Sequence, residues 1–445
     1  MPGEYFEARE RALLGTRYDV LYTAPCAVRR GVTVNGLRCA PQEFAAAVDF
    51  GLEPSPFCDA AFLLTDPQLR PGRHAYHHAG VFYVQEPSAS VPAGLLGVRP
   101  GERVLDLCAA PGGKTSQLAA ALRGEGLLVA NEYVAARVGV LKSNLERMGV
   151  TNALVLNEST ARVAAAFPAF FDKILVDAPC SGEGMFRKEP EALRQHSAAL
   201  GASILDDAAA ALRPGGLLCY STCTFAPEED EAQVGAFLAR HPEFTVLPAP
   251  TNAGAPGEAA RCGAHPFAAE HTRRIYPCHG GEGHFMALLQ KRGDGAPPEA
   301  EQARPRAARG QRGAKRGRDM RACRPAQGGN GVSRAEARAE GEAFLREYFP
   351  GAAQLPLECR GTELFVLSRE GCGPAEGLRV VQAGVCAGSA ARGRFVPAHH
   401  LFMAYGAQCA NAERLTLADG FPLGFGKQSG GVVKNHYPKG LRNLK

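Results

Sequence analysis

The 445-residue sequence lacks several features that would assign it to common classes of protein. It has no run of about 18 apolar residues, so we expect no membrane-spanning helix. Residues 1–4 are Met-Pro-Gly-Glu and do not begin a basic segment followed by an apolar one. We therefore expect no secretory signal, and a cytoplasmic protein whose cysteines stay reduced.

Metal-binding patterns are also missing from the sequence. None of the 14 cysteines forms a Cys-x-x-Cys pair, so we expect no structural zinc site. The pairs His77-His78 and His399-His400 have no cysteine or carboxylate neighbour at ligand spacing, so packing or surface roles are favoured for them. We therefore expect no metal ion.

A chain of 445 residues is longer than one domain of about 100 to 200 residues, so we expect several domains. Changes in composition and in the pattern of apolar residues divide the chain into four parts. We predict a mixed α+β N-terminal domain over residues 1–95 and an α/β domain over residues 96–292. Gly, Pro, Ala, Gln and Arg dominate residues 293–343, which indicates a disordered linker. Strands separated by turn residues predict a small β-rich domain over residues 344–445.

The α/β prediction depends on short apolar strands that alternate with helices after residue 96. The strand Arg103–Cys108 is the first of these, and such alternation indicates a parallel sheet covered on both faces. In the N-terminal domain we predict a helix over Glu4–Tyr22 and a pair of strands over His74–Val84. A further strand is predicted over Leu378–Val381, within the C-terminal domain.

A turn of small residues, Cys108–Lys114, follows the first of these strands and opens a helix. Glycine and alanine let a ligand approach the backbone closely, and a helix N-terminus offers free N–H donors. The turn has neither the P-loop spacing nor Gly-x-Gly-x-x-Gly. An ordinary tight turn is the alternative. Glu132, at the end of the next strand, is placed to bind ribose hydroxyls, although a solvated surface glutamate is again the alternative.

Two cysteines follow the ends of later strands, in Asp177-Ala-Pro-Cys180 and Ser221-Thr-Cys223. Ligands of open α/β sheets bind at this edge, which favours a functional role over that of buried structural thiols. One reaction open to such a thiol is addition to carbon 6 of cytosine, which makes carbon 5 a nucleophile toward a methyl donor. Asp177 is placed to favour the addition near ring nitrogen 3. A base must then take the carbon 5 proton, and the sequence does not identify it.

These motifs together resemble the Sun-type RNA (cytosine-5) methyltransferases. The resemblance is carried by Asp106-Leu-Cys-Ala-Ala-Pro-Gly-Gly-Lys114, Asp177-Ala-Pro-Cys180-Ser-Gly-Glu-Gly, Tyr220-Ser-Thr-Cys223-Thr-Phe, Val84–Ser90, Arg274–Pro277 and Gly281–Phe285. Two C-terminal segments, Asp419–Gly424 and Lys434–Arg442, resemble the RsmF-like subgroup, which methylates small-subunit ribosomal RNA. The resemblance covers nearly all of the chain except the linker.

The resemblance implies a Rossmann-like methyltransferase core, a PUA-like C-terminal end and S-adenosylmethionine as methyl donor. The cofactor-binding residues that it implies are Cys108, Ala109, Ala110, Pro111, Gly112, Gly113, Lys114, Glu132, Asn157 and Asp177. It implies that Cys223 is the nucleophile and that Cys180 assists release, with Cys180 as the rival nucleophile. Many relatives have an acidic residue near the adenine; here Asn157 is favoured over Glu158 for that contact.

RNA is the partner that the resemblance implies, and basic residues are concentrated where an RNA could be held. Residues 301–330 contain nine Lys/Arg and two Asp/Glu, and residues 421–445 contain five Lys/Arg and no Asp/Glu. Arg187 and Lys188 are candidates for phosphate contacts, with a solvated basic pair as the alternative. Aromatic residues among the C-terminal cations favour an RNA-contacting surface, unless they belong to a β-core.

We expect a monomer that methylates small-subunit ribosomal RNA, and three alternatives to this function stay open at this point. The first is the same reaction on transfer RNA, which the chemistry motifs do not separate. The second, amino-group methylation, is disfavoured because Asp177-Ala-Pro-Cys180 replaces the Asn/Asp-Pro-Pro-Tyr/Phe signature. The third is a non-catalytic RNA-binding assembly factor, against which both cysteines, Asp177 and the glycine loop argue.

Overall fold

A computed structural model describes residues 4–23, 29–185, 198–293, 332–370, 373–391, 394–410, 415–429 and 432–435. The first elements are α1 (Glu4–Leu14), β1 (Gly31–Val34), α2 (Pro41–Ala47), β2 (Leu52–Pro54), β3 (Ala61–Leu64), α3 (Ala75–His78) and β4 (Phe82–Gln85). Within the described residues, the four strands form one antiparallel sheet in the order β2-β3-β1-β4.

Two of our predictions for this part are wrong in detail. The first helix ends at Leu14 because Gly15 takes a positive φ of 57°, and a separate π-helical turn follows at Asp19–Thr23. The predicted strand pair over 74–84 is instead the short helix α3 followed by the single strand β4. The His74 side chain caps that helix by accepting a hydrogen bond from Tyr76 N over 3.1 Å.

The central part of the chain alternates strands and helices as predicted. Its elements are α4 (Val91–Leu95), β5 (Arg103–Asp106), α5 (Gly113–Leu122), β6 (Leu127–Asn131), α6 (Ala135–Met148), β7 (Ala153–Leu156), α7 (Thr160–Ala166), β8 (Phe171–Asp177), α8 (Ala198–Ala211), β9 (Leu212–Thr222), α9 (Glu231–Arg240), β10 (Phe244–Leu247), β11 (Ala255–Pro256), β12 (Arg273–Ile275) and β13 (His284–Lys291).

The C-terminal part adds a second group of elements. These are α10 (Arg334–Tyr348), β14 (Leu357–Arg360), β15 (Glu363–Val366), β16 (Val380–Ala383), β17 (Val385–Ala391), β18 (Arg394–Pro397), α11 (His399–Tyr405), β19 (Leu415–Ala418), β20 (Phe421–Ser429) and β21 (Val432–Asn435). Strands β14, β15, β17 and β18 form one sheet, and β19, β20 and β21 form another.

One large sheet organises the described chain, in the order β11-β12-β13-β9-β8-β5-β6-β7-β16, with β10 also paired to β13. The strands from β9 to β7 run parallel, as expected, and the flanking strands are antiparallel. Successive residues of each parallel strand enter opposite cores: Leu128 packs with α5 and α6, and Val129 packs with the cluster that includes α7 and α8. Both faces of the sheet are therefore buried.

Strand β16 differs from our prediction, which placed it inside the separate C-terminal domain. It instead extends the central sheet, with Val380 opposite Leu156 and Ala383 opposite Leu154 of β7. Residues 334–343, which we placed in the linker, are helical in α10. Ser333 and Glu336 cap that helix reciprocally, a local signal that our reading of composition overlooked. The domain boundaries at residues 95, 292 and 343 stay predictions.

Candidate active site

The carboxyl ends of the five parallel strands meet at one edge of the central sheet. Asp106 ends β5, Asn131 ends β6 and Asp177 ends β8, while Cys223 directly follows β9. A ligand that lies across this edge contacts loops from several strands at once, which is why open α/β sheets bind ligands there. The sequence motifs singled out above therefore converge in space.

The turn between β5 and α5 brings backbone close to this edge. Gly112 has a φ of 109°, a conformation that residues with a side chain rarely adopt. A Cβ atom on Gly113 would lie 2.7 Å from Gln85 Oε1 and 3.0 Å from Tyr83 Cε1, so a larger residue would collide there. The backbone conformation thus favours glycine at position 112, and a side chain at position 113 would require Gln85 or Tyr83 to move.

Lys114 and Asp177 form an ion pair beside this turn. Lys114 Nζ lies 2.8 Å from Asp177 Oδ2, and Ser221 Oγ donates to Asp177 Oδ1 over 2.7 Å. Burial alone would raise the pKa of the Asp177 carboxyl, but the Lys114 ammonium outweighs burial and lowers that pKa below its usual value. Asp177 is therefore a carboxylate at neutral pH, and the pair carries its proton on Lys114.

Asp106 lies deeper in the same region. Thr115 Oγ1 donates to Asp106 Oδ2 over 2.7 Å, whereas the buried Asp106 Oδ1 has no hydrogen-bond partner among the described residues. Burial raises the pKa of this carboxyl to about 7. A buried oxygen without a partner costs free energy, and a cationic group of a ligand would satisfy it.

These groups border a cavity of about 220 Å³. It is lined by Tyr83, Val84, Gln85, Ala89, Asp106, Cys108, Ala109, Ala110, Pro111, Gly113, Lys114 and Asp177. The lining fits the amino-acid end of S-adenosylmethionine in three ways. It offers an acceptor for an ammonium group and backbone N–H groups at the start of α5, and the glycines permit a close approach to the backbone. Asp106 and Lys114, together with the backbone of residues 108–113, would hold that end of the cofactor.

The two candidate catalytic thiols lie together at the end of β8 and β9. Cys180 Sγ and Cys223 Sγ are 3.5 Å apart, and both side chains are partly buried. A hydrogen bond from Cys180 lowers the pKa of the Cys223 thiol, and the Lys114 ammonium lowers it further, against burial and the charge of Asp177. The same hydrogen bond and burial raise the pKa of Cys180 well above its usual value. The thiol with the lower pKa supplies more thiolate, which favours Cys223 as the candidate nucleophile.

A buried network fixes the two cysteine loops relative to each other. Ser181 Oγ lies 2.7 Å from Thr224 Oγ1 and donates to Glu229 Oε2 over 2.5 Å, and Ser181 N also donates to that carboxylate. Gly184 N donates to Cys223 O over 2.8 Å. We did not single out Glu229 from the sequence. It lies six residues beyond Cys223, and the residues around it are typical of a surface helix.

A third group of contacts ties α1 to the loop that follows Cys180. Both guanidinium Nη atoms of Arg9 donate to Glu183, over 2.9 and 2.7 Å. Arg9 Nε donates to Glu10, which also accepts from the buried Arg261. No motif joins Arg9 to Glu183, since the two are 174 residues apart, so the sequence alone gave no signal for the contact.

Glu132 directly follows β6 and is buried, which excludes the surface alternative for it. Its Oε1 accepts from Val134 N over 2.7 Å, and its Oε2 lies 3.5 Å from Arg137 Nη1. Arg137 Nη2 also donates to Ala110 O over 2.6 Å, which links Glu132 to the glycine turn. Glu132 does not line the cavity described above.

Asn157 and Glu158 follow β7, and both accept a hydrogen bond from Arg379. Asn157 Oδ1 accepts from Arg379 Nη1 over 3.1 Å, and Asn157 Nδ2 donates to the carbonyl oxygens of Glu132 and Tyr133. Glu158 Oε1 accepts from Arg379 N over 2.7 Å. The amide oxygen that we expected to face the adenine therefore already has one donor, supplied by the segment before β16.

Several predicted RNA contacts fall outside the residues that the structure describes. Arg187, Lys188 and residues 301–330 belong to this group, as do residues 436–445. Phe421 is described, and its ring packs against Tyr76 with centroids 5.3 Å apart and an interplanar angle of 74°. This aromatic residue thus packs against helix α3 of the N-terminal part, as the core alternative proposed for it.

The structure contains no group of three metal-ligating side chains among the residues described. Within the same residues, no helix is long and apolar enough to cross a membrane.

Four family models match successive parts of the chain. The 16S rRNA methyltransferase RsmB/F model matches residues 93–290, and the model of the RsmF N-terminal domain matches residues 1–87. The RsmF first C-terminal domain matches residues 343–405, and the RsmF PUA domain matches residues 413–443.

Curated relatives give the same result. The chain is 38% identical over 279 residues to ribosomal RNA small subunit methyltransferase F of Serratia proteamaculans, covering 59% of this chain and 57% of that protein. It is 37% identical over 308 residues to the Klebsiella pneumoniae protein of that name, covering 65% of this chain and 63% of that protein. The chain thus spans less than two thirds of the length of these relatives.

Solved structures share the fold. A methyltransferase homologue from Pyrococcus horikoshii is 29% identical, with a TM-score of 0.55, and covers 64% of this chain and 99% of that one. NSun6 from the same organism is 19% identical, also with a TM-score of 0.55, covering 66% of this chain and 99% of that one, and supports the fold alone.

The parallel strands, the glycine turn and the cavity at the strand ends define the Rossmann-like fold of S-adenosylmethionine-dependent methyltransferases. Four models that describe successive parts of one architecture match this chain in order. The chain belongs to the RsmF family of 16S rRNA methyltransferases.

Proposed function

We propose that this protein methylates carbon 5 of a cytosine in small-subunit ribosomal RNA through a covalent adduct with Cys223. The observation that carries the proposal is the pair of thiols 3.5 Å apart at the end of β8 and β9, beside the Lys114–Asp177 pair of the cofactor cavity. Amino-group methylation needs no thiol. Two thiols at this position are therefore the feature that distinguishes carbon 5 from an exocyclic nitrogen as the methyl acceptor.

Cys223 acts as the nucleophile. Its thiolate attacks carbon 6, and the S–C6 bond forms as electron density moves toward carbon 5. S-adenosylmethionine, when bound, supplies an electrophilic methyl group, which carbon 5 then takes. Lys114 lowers the pKa of Cys223 and so increases the fraction present as thiolate.

Asp177 binds the target base, and Lys114 stabilises the charge that develops on the base during addition. Asp177 is ionised, so it accepts a hydrogen bond from the exocyclic amine of cytosine. The proton that favours addition at carbon 6 comes from the Lys114 ammonium rather than from the aspartate. Ser221 fixes the carboxylate orientation through its 2.7 Å hydrogen bond.

Cys180 assists the last step. Its raised pKa keeps it a thiol at neutral pH, and its S–H group is within hydrogen-bonding distance of Cys223 Sγ. When the S–C6 bond breaks, this donor stabilises the departing Cys223 thiolate. This role agrees with release of the methylated RNA rather than with the initial attack.

The RNA specificity of the proposal rests on the four RsmF-family matches, which include an N-terminal and a PUA part. The target base must leave its stack to reach Cys223, which favours a single-stranded or loop site. Basic C-terminal residues and the basic segment 301–330 would supply part of the salt-dependent attraction to RNA. We propose the cytoplasm as the site of action.

The test uses the full chain with a donor that carries a labelled methyl group. Free 16S RNA, small subunits and transfer RNA are each incubated with the protein and digested to nucleosides. We expect labelled 5-methylcytidine from the small-subunit RNA, and none with Cys223→Ala. Cys219→Ala, a buried thiol on the same strand that faces the core, serves as the matched control and should keep activity. Label in an exocyclic amino group, in transfer RNA alone, or nowhere would contradict the proposal.

A further inference from the structure

His284 is a buried histidine next to the two thiols. It begins β13, and its neighbour Phe285 pairs with Thr222, the residue before Cys223. Only 4% of its surface is exposed. The charges of Lys114 and Asp177 both act on its ring, so the ring lies within electrostatic range of that ion pair.

The hydrogen bonds around His284 determine which ring nitrogen carries the proton. Ser88 Oγ donates to Glu86 Oε2, because a carboxylate can only accept. The hydroxyl has one hydrogen, so its 3.1 Å contact with His284 Nδ1 must have the imidazole as donor. Backbone N–H groups of Ala89 and Glu282 also donate to Glu86, as expected for an ionised carboxylate. Neutral His284 is therefore protonated on Nδ1 and has its lone pair on Nε2.

The Nε2 atom of His284 is buried and has no hydrogen-bond partner among the described residues. Burial, and after it the Lys114 ammonium, lower the pKa of the ring to about 4, so the ring is neutral near pH 7. An unpaired buried acceptor costs free energy unless a ligand or a reacting group uses it. His77 also has an unpaired ring nitrogen, and what distinguishes His284 is that its ring lies within electrostatic range of Lys114 and Asp177.

We propose that His284 is the base that takes the carbon 5 proton of the methylated adduct, an inference that rests on the proposed function. The C5–H bond breaks and its electron pair forms the C5=C6 double bond. The S–C6 bond breaks with its pair returning to Cys223 as thiolate. The proton moves to His284 Nε2.

The chain from His284 through Ser88 to Glu86 positions the base and stabilises the product of the proton transfer. Glu86 Oε2 lies 3.8 Å from His284 Nδ1, so the ring that has become an imidazolium faces a carboxylate. The Gly283 carbonyl and Asp177 also favour the protonated ring.

The experiment compares ordinary RNA with RNA that contains 5-fluorocytidine, using His284→Asn and the wild-type protein with donor present. Fluorine at carbon 5 cannot leave as a proton, so both proteins should trap a covalent complex with the fluorinated RNA. With ordinary RNA, wild type should release product, whereas His284→Asn should accumulate a methylated covalent complex and turn over on the order of 100-fold more slowly. His241→Asn, a histidine paired with Asp206 and Glu243 after α9, is the control that should behave as wild type.

The outcomes separate this inference from the proposed function. If wild type traps no fluorinated RNA, the covalent mechanism itself fails. If wild type traps it but His284→Asn releases ordinary product at the wild-type rate, His284 is not the base. If His284→Asn traps neither RNA while binding cofactor normally, His284 acts before methyl transfer and the inference is overturned.

Two further measurements keep the test valid if the asparagine variant folds poorly. Added imidazole should restore product release by His284→Ala, because it can occupy the vacated space and accept the proton. A structural role, or the release role of Cys180, predicts no rescue. Ser88→Ala keeps His284 but removes the acceptor of its Nδ1–H, and should slow release more than adduct formation; an unchanged ratio of the two rates would contradict the inference.

Discussion

Lys114 Nζ lies 2.8 Å from Asp177 Oδ2, and both residues of this ion pair line the cavity at the ends of the parallel strands. The pair joins a residue of the glycine turn to a residue of the Pro-Cys motif, 63 positions apart. It fixes the protonation of both groups, since it lowers the pKa of the carboxyl and raises that of the ammonium. The pair therefore determines which group can accept and which can donate to a bound base.

Asp177→Asn should slow methyl transfer by on the order of 100-fold, because the side chain no longer forms an ion pair with Lys114 or accepts from the cytosine amine as a carboxylate.

The same variant should lose about 1 to 2 kcal/mol of stability. This is less than for a fully buried pair, because 30% of the Asp177 side-chain surface is exposed. The pKa of Asp177 is lowered on folding, so its contribution is complete above about pH 3.9 and is lost as pH falls further. Urea unfolding between pH 2 and 7 tests this; a stability difference from wild type that does not shrink as pH falls below about 3.9 would contradict it.

Arg9→Met should destabilise the protein by about 3 to 5 kcal/mol, because it leaves the buried Glu183 carboxylate without its bidentate partner. Arg11→Met on the same helix is the matched control. Arg11 and its partner Glu7 are both about half exposed, so the loss should be much smaller than for Arg9→Met. Urea unfolding of the two variants measures the difference, and equal losses would show that the contact does not fix the loop.

Arg379→Ala should weaken cofactor binding, because the Arg379 guanidinium donates to Asn157 Oδ1 after β7. The bond to Glu158 comes from the Arg379 backbone N–H and stays in the variant. Loss of one such hydrogen bond corresponds to a rise in Kd of about 2- to 10-fold, with kcat at saturating donor nearly unchanged. Calorimetry with S-adenosylhomocysteine measures Kd. Arg394→Ala, an exposed cation on β18, is the control. An unchanged Kd for Arg379→Ala would place the adenine elsewhere.

Local patterns in the sequence predicted a parallel sheet whose strands alternate with helices, and the turn between β5 and α5. They also placed Asp177, Cys180 and Cys223 at one edge, because residues that follow parallel strands must lie near one another. The strand–helix alternation and the Pro-Cys and Thr-Cys motifs are short-range signals. Reading them needs no knowledge of which distant segments meet.

Contacts between distant segments could not be predicted in this way. Strand β16 pairs with β7 across more than 200 residues. Nothing in its four residues distinguishes an edge strand of the central sheet from a strand of a separate domain. His284 precedes an apolar strand, as a satisfied core histidine also can. The contacts with Ser88 and Glu86 place the ring proton on Nδ1 and leave Nε2 unpaired. These residues are 196 and 198 positions away, so the contacts are visible only in the structure.

The central claim, that Cys223 forms a bond to the target cytosine, is tested most directly with RNA that contains 5-fluorocytidine. The protein is incubated with this RNA and donor, and the covalent complex is resolved under denaturing conditions. Wild type and Cys180→Ala should both form the complex, and peptide mass mapping should place the nucleotide on Cys223. Cys223→Ala should form none. A complex that survives in Cys223→Ala and disappears in Cys180→Ala would contradict the account.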